Sequence, residues 1–236
     1  MIMTALNFSA VCFDMDGVLI QSRAVIERAW TDVAYDYGIT VSEEFIHHHI
    51  HGRPGEYTLK MLFGEFNTEH RSIIKKQVDA AEESAPCSLV PGVAILIAQL
   101  QECGVPLALV TSSWPQRIEN VLRQHGLGKS FDCVVSREDV TNGKPAPDCY
   151  ELAAKKLDRN TCQCLVFEDS SSGVRSAVSS GALCLGIGGD TSLLTDGAAA
   201  VYLDFNMLPV VSCTMNTHSF DGRGLILGTH VSRSLL

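Results

Sequence analysis

The sequence predicts an α/β fold, a Rossmann-like parallel sheet with helices on both faces and an inserted α-helical cap domain, on three observations. A short apolar run at residues 8–13 (FSAVCF) ends abruptly in acidic residues, as a buried parallel strand does at its C-terminal end. Residues from about 20 to 88 carry helical periodicity with no β-rich stretch between the repeats. Beyond Pro91-Gly92, apolar strand-like runs alternate with amphipathic segments, which implies right-handed βαβ crossovers.

After the first strand, Val25, Ile26, Ala29, Trp30, Val33 and Tyr37 recur at three- and four-residue spacing. Ser22 can cap this helix and Gly38 can stop it. Further helical patterns cover 43–49, 57–66 and 71–83. The alternating part then predicts helices at 93–103, 116–124, 148–157 and 173–180, and strands at 106–110, 132–136, 164–167, 182–187 and 200–203. The expected division is therefore a core of residues 1–20 and 89–208, a helical cap of 21–88, and a tail, 209–236, whose weak periodicity assigns it no element.

Composition narrows the function classes. An apolar fraction of 46% and a charged fraction of 19% belong to a globular chain able to bury a core without staples. The nine cysteines lack disulfide or zinc-site spacing and read as reduced thiols of a cytoplasmic protein. No stretch has the length of a membrane span, so no membrane partner is expected. A net charge of −9 argues against nucleic acid, whose binding depends on clustered cations. An anionic small molecule stays possible, because a metal ion and a few basic groups invert the field locally.

The residues that carry chemistry fall at strand ends. Asp14 and Asp16, followed by Gly17, close the first strand, where unpaired carboxylates would be costly without a cation. Glu168 and Asp169 form a second acidic pair after the strand LVF, and parallel packing brings both pairs to one sheet edge. Hard oxygen ligands without His or Cys suit Mg²⁺. Lys144 sits in the proline-stiffened loop GKPAPD and can meet a phosphoryl oxygen. Thr111, Ser112 and Ser113 follow the strand LALV and precede a helix starting at Pro115, a ready anion cradle.

The order DxDG, TSS, GKP, ED, with the strings FDMDGVL, GKPAPD and FEDSSSGV, resembles the haloacid dehalogenase-like hydrolase superfamily over residues 8 to 205 or so. The resemblance implies Asp14 as nucleophile toward phosphorus and Asp16 as general acid/base, with its side chain free and its carbonyl on the metal. It further implies Thr111, Lys144 and the Ser112 N–H as phosphate ligands, and Asp14, Asp16, Glu168 and Asp169 as the Mg²⁺ set. Because Asp16, Glu168 and Asp169 are all present, phosphoryl transfer is favoured over dehalogenation.

The insert resembles the small cap of the group of β-phosphoglucomutases and sugar-phosphate phosphatases. In it the string IHGRPGEYTL offers His51 and Arg53 as substrate-facing residues, while His47, His48 and His49 read as a solvated helix face. His47 and His51 have i, i+4 spacing but no third metal ligand. The mutases have a histidine ten positions after the second catalytic Asp, where this chain has Ile26, and an acidic residue is common where Gln21 stands. The expected function is a Mg²⁺-dependent phosphatase for a small phosphorylated metabolite, a sugar or polyol phosphate, working through an aspartyl phosphate. A phosphosugar mutase is the alternative and a non-catalytic phosphometabolite-binding module the remote one. A monomer or weak homodimer is expected.

Overall fold

The computed structural model describes residues 6–50 and 53–208, and beyond them the backbone of four short strands between 214 and 229. The main sheet has six parallel strands in the order β4-β3-β2-β5-β6-β7. These are β2 (Ala10–Phe13), β3 (Leu107–Val110), β4 (Cys133–Val135), β5 (Cys164–Glu168), β6 (Leu183–Ile187) and β7 (Ala200–Tyr202). From β2 the chain runs outward through β3 and β4 on one side and through β5, β6 and β7 on the other. Such a switch point leaves a crevice at the strand C-termini, where ligands bind in open α/β sheets.

Two helices cover each face. Val11 and Phe13 of β2 point into a core of large side chains under α5 (Val93–Glu102) and α6 (Pro115–Gln124), with Leu96, Ile97, Leu100, Ile118, Val121 and Leu122. Ala10 and Cys12 point to the other face, where α7 (Asp148–Lys156) and α8 (Ser171–Ser179) approach over small residues such as Ala108, Ala153, Ala154 and Ala177. The period-two alternation of β2 thus sets a thick layer against a thin one. Both faces being covered explains why its burial is continuous and the sequence shows an unbroken apolar run.

Between β2 and α5 the chain folds into four helices: α1 (Arg23–Asp36), α2 (Glu43–His49), α3 (Gly55–Leu62) and α4 (Thr68–Ser84). They bury their own core of Ala29, Trp30, Val33, Ala34, Ile50, Leu59, Phe63, Ile74 and Val78. Ser42 and Asn67 cap α2 and α4 by accepting from Phe45 N–H and His70 N–H.

Two local expectations change. The predicted strand 8–13 is divided: Phe8 belongs to β1 (Leu6–Phe8), which pairs antiparallel with β9 (His218–Phe220), while Ser9 N–H turns to Gln163 O. The tail, to which its weak periodicity assigns no element, contributes β8 (Thr214–Met215), β9, β10 (Leu225–Ile226) and β11 (Gly228–Thr229). No disulfide joins the eight cysteines of the described residues. No helix among the described residues is long and apolar enough to cross a membrane.

Candidate active site

Asp14 follows the last residue of the central strand β2, and its N–H donates to Phe167 O on β5 at 3.1 Å. Glu168 ends β5 and Asp169 follows it, so both acidic pairs reach the same edge. Oxygens of Asp14, Glu168 and Asp169 all lie within 4.8 Å of one another. Lys144, from the loop after β4, donates to Asp14 Oδ1 at 2.5 Å, Glu168 Oε1 at 2.6 Å and Val110 O at 3.2 Å.

Glu168 is fully buried and held from every side. Tyr150 O–H donates to its Oε1 at 2.7 Å, and its Oε2 accepts from Asp169 N–H at 3.1 Å and Ser170 O–H at 3.3 Å. Two glycines make room for these carboxylates. A Cβ on Gly173 would lie 1.9 Å from Glu168 Oε1, and one on Gly17, at φ +77°, 2.0 Å from Asp169 Oδ2. The glycines of DMDG and FEDSSSG are therefore part of how the carboxylates fit.

The electrostatics leave negative charge in excess. Burial pushes the Asp14 carboxyl well up, with Lys144 pulling it back and Glu168 and Asp169 adding to the rise. Burial, then Glu168 and Asp16, push Asp169 up to about 8. Lys144 moves the other way from a desolvated amine: burial favours its neutral form, but Asp14 and Glu168 hold it charged. Four carboxylates thus face Lys144 and one guanidinium. The donor set, hard oxygens with no nitrogen or sulfur, fits a divalent cation of the Mg²⁺ type.

That guanidinium belongs to Arg117, which sequence reasoning passed over. Its Nη2 and Nη1 donate to Asp16 Oδ1 and Oδ2 at 2.6 and 2.7 Å. Burial raises the Asp16 carboxyl, but the charge and hydrogen bonds of Arg117, helped by Ser22, bring it below the usual carboxylate range. The Asp16 side chain is thus engaged by Arg117, and Ser22, although it stands at the N-cap of α1, makes no side-chain cap bond there and instead helps lower the Asp16 carboxyl. A signal was present in the helix PQRIENVLRQ, since Arg117 and Val121 share a face at i, i+4 beside Ile118 and Leu122, all buried.

Thr111 is buried after β3; its N–H donates to Val135 O, and its Oγ1 accepts from Ser113 N–H at 3.1 Å. Ser112 is exposed in the same turn. Arg53 is not brought to the carboxylates by any contact among the described residues: its Nε donates to His48 O at 3.2 Å, and it lies 5.3 Å over the Tyr57 ring. His51 lies outside the described residues. His47 and His48 are exposed as expected, whereas His49 Nδ1 meets Tyr57 O–H at 2.9 Å.

A sequence profile for haloacid dehalogenase-like hydrolases matches residues 8–181. The chain is 31% identical over 236 aligned residues to 2-deoxyglucose-6-phosphate phosphatase 1 of Saccharomyces cerevisiae, covering 89% of this chain and 94% of that protein. It is 34% identical over 176 residues to a phosphorylated carbohydrates phosphatase of Thermotoga maritima, covering 73% and 81%. A crystal structure of a family IA, variant 3 HAD hydrolase from Entamoeba histolytica superposes with a TM-score of 0.78 at 26% identity, covering 86% of this chain and 96% of that one. Profile, relatives and carboxylate-lined sheet edge agree, and the chain belongs to the haloacid dehalogenase-like hydrolases.

Proposed function

We propose that this protein is a Mg²⁺-dependent phosphatase that hydrolyses a sugar or polyol phosphate through an aspartyl-phosphate intermediate. The observation that carries the reading is Asp14 at the end of the central strand, with Lys144 on one of its oxygens and a cluster of carboxylates beside it. The names of the two relatives, phosphatases of 2-deoxyglucose 6-phosphate and of phosphorylated carbohydrates, support the substrate class.

Asp14 attacks phosphorus; the bond between phosphorus and the ester oxygen breaks, and Asp16 gives its proton to the departing alcohol. Asp16 then takes a proton from the water that attacks the phosphoaspartate, which releases inorganic phosphate and restores Asp14. Lys144, Thr111 and the Ser112 N–H hold the phosphoryl oxygens, so charge developing on them meets fixed donors. Asp14, Asp169 and the Asp16 carbonyl would hold Mg²⁺, with Glu168 behind them, and the ion would supply neutralisation of the charge shared by Asp14 and phosphate. Residues 21–88 act as a cap over the core of 1–20 and 89–208, excluding water and choosing the alcohol, with His51 and Arg53 as its substrate-facing candidates.

The test is phosphate release from a panel of hexose, deoxyhexose, pentose, polyol, nucleotide and two-carbon phosphates, with Mg²⁺ and with chelator. Release that needs Mg²⁺ and vanishes in Asp14→Asn is expected. Release that survives that substitution, or conversion to an isomeric sugar phosphate without stoichiometric phosphate, overturns the reading.

A further inference from the structure

Tyr150 lies on α7, just beyond the string GKPAPD, and is 1% exposed. Lys144 Nζ stands 5.2 Å from the centre of its ring, and its O–H donates to Glu168 Oε1 at 2.7 Å. Lys144 donates to that same oxygen at 2.6 Å. One buried carboxylate oxygen thus carries two donors, one charged and one neutral.

An ammonium has three N–H bonds to give. Lys144 gives them to Asp14 Oδ1, Glu168 Oε1 and Val110 O, which leaves none for a phosphoryl oxygen. To hold one, it has to release an acceptor, and a buried acceptor left without a donor is costly. Among the described residues, Glu168 Oε1 alone of the three has a second side-chain donor, Tyr150. The other oxygen of that carboxylate is secured as well, accepting from Asp169 N–H and Ser170 O–H. The backbone beside Lys144 is pinned. Ser176, fully buried on α8, donates to Ala146 O at 2.6 Å, and Ala146 N–H donates to Gly143 O at 3.0 Å. Exchange between acceptors therefore falls to the lysine side chain.

We propose that Tyr150 is a positioning residue for Lys144: it holds Glu168 in place while the ammonium passes from Glu168 Oε1 to a phosphoryl oxygen of the substrate. The inference rests on the phosphatase reading above, in which Lys144 holds that oxygen. A phenol suits the task, because it is a neutral donor that keeps its proton near pH 7 and its ring offers the ammonium an attractive face.

The test is the dissociation constant of inorganic phosphate, measured by titration calorimetry at saturating Mg²⁺, in the wild type and in Tyr150→Phe. Phenylalanine keeps the ring and removes the donor. Release of Lys144 then leaves Glu168 Oε1 bare, so the phosphate constant should rise about tenfold or more. The dissociation constant of Mg²⁺ without phosphate should not rise, because Lys144 stays on Glu168 in both proteins until phosphate arrives. Equal phosphate constants, the result if Lys144 leaves Asp14 instead, overturn the proposal. So does a loss of Mg²⁺ affinity as large as the loss of phosphate affinity, which is the mark of a loosened site.

A second measurement needs no variant. The hydroxyl proton of Tyr150, assigned in nuclear magnetic resonance spectra through its contacts with the Tyr150 ring, should move downfield when phosphate is added to the Mg²⁺-loaded wild type, as Tyr150 becomes the sole donor to Oε1. A resonance that stays in place or moves upfield while phosphate binds sinks the proposal and leaves the phosphatase reading standing. A wild type that binds no phosphate sinks both. The expected shift and constants in a protein that hydrolyses no phosphate ester would count against the phosphatase reading alone.

Discussion

Lys144 Nζ lies 2.5 Å from Asp14 Oδ1 although 130 residues separate them in the chain. The same ammonium reaches Glu168, so three charges are packed where the side chains are 7%, 10% and 0% exposed. Such a group is tolerable while the cation is there. Removing one partner leaves the others buried and uncompensated.

Lys144→Met should therefore cost stability as well as activity. Losing the centre of a buried ion cluster costs about 3–5 kcal/mol, read as a lower urea midpoint. Phosphate release should fall by about a thousandfold, since a fixed cation on the phosphoryl oxygens is lost. A variant with the wild-type midpoint would show that the cluster adds nothing to folding.

Asp169 sits in the cluster with its carboxyl pushed up to about 8 by burial and by Glu168 and Asp16. Asp169→Asn should leave the metal-free protein at least as stable as the wild type. Mg²⁺ should raise the wild-type melting temperature, with a gain of about 2.7 kcal/mol at a hundred times Kd, and leave that of the variant nearly unchanged. An equal thermal shift in both proteins would take Asp169 out of the metal site.

The positions of Asp14, Thr111 and Asp169 were legible because each follows an apolar run that ends in polar residues, and a buried parallel strand leaves no other place for them. Lys144 was legible from its string and not from physics, because a loop lysine carries no sign of the partners it meets. What stayed hidden depended on contacts between distant segments. Phe8 and Phe13 look alike in sequence, and only the pairing of residues 6–8 with 218–220 separates them. Ser22 stands at the N-cap of α1 as its sequence position suggests, but nothing local says that its hydroxyl makes no cap bond and favours the Asp16 carboxylate. Arg53 sits in a suggestive string, but its recorded partners are the neighbouring His48 carbonyl and Tyr57 ring.

Glu82 gives the fold a pH dependence whose sign can be stated. It faces Arg117, Asp16, Lys75 and Asp79, and burial is the largest cause of its rise to about 7. An acid whose folded value exceeds its unfolded one, here 4.5, stabilises fully below the unfolded value and loses that contribution as pH rises through about 7. Glutamine does not titrate. The stability of Glu82→Gln relative to wild type should therefore increase between pH 5 and pH 8, by up to about 3 kcal/mol. Parallel stability curves over that range would mean that Glu82 is ionised throughout.

Gly173 sets helix propensity against packing. It lies inside α8, where alanine is favoured over glycine by about 1 kcal/mol, so local reasoning expects Gly173→Ala to stabilise. The structure says the reverse. The new Cβ would fall 1.9 Å from the Glu168 carboxyl, which Lys144 and Tyr150 hold from the other side, so it cannot retreat. Overpacking of this kind costs about 1–3 kcal/mol, and the displaced Glu168 would carry Lys144 away from Asp14, so activity should fall together with stability. The control is Glu168→Ala, which empties the space that the methyl needs. If the clash is the cause, adding Gly173→Ala to Glu168→Ala costs nothing further in urea unfolding. If the two losses simply add, the glycine is there for another reason.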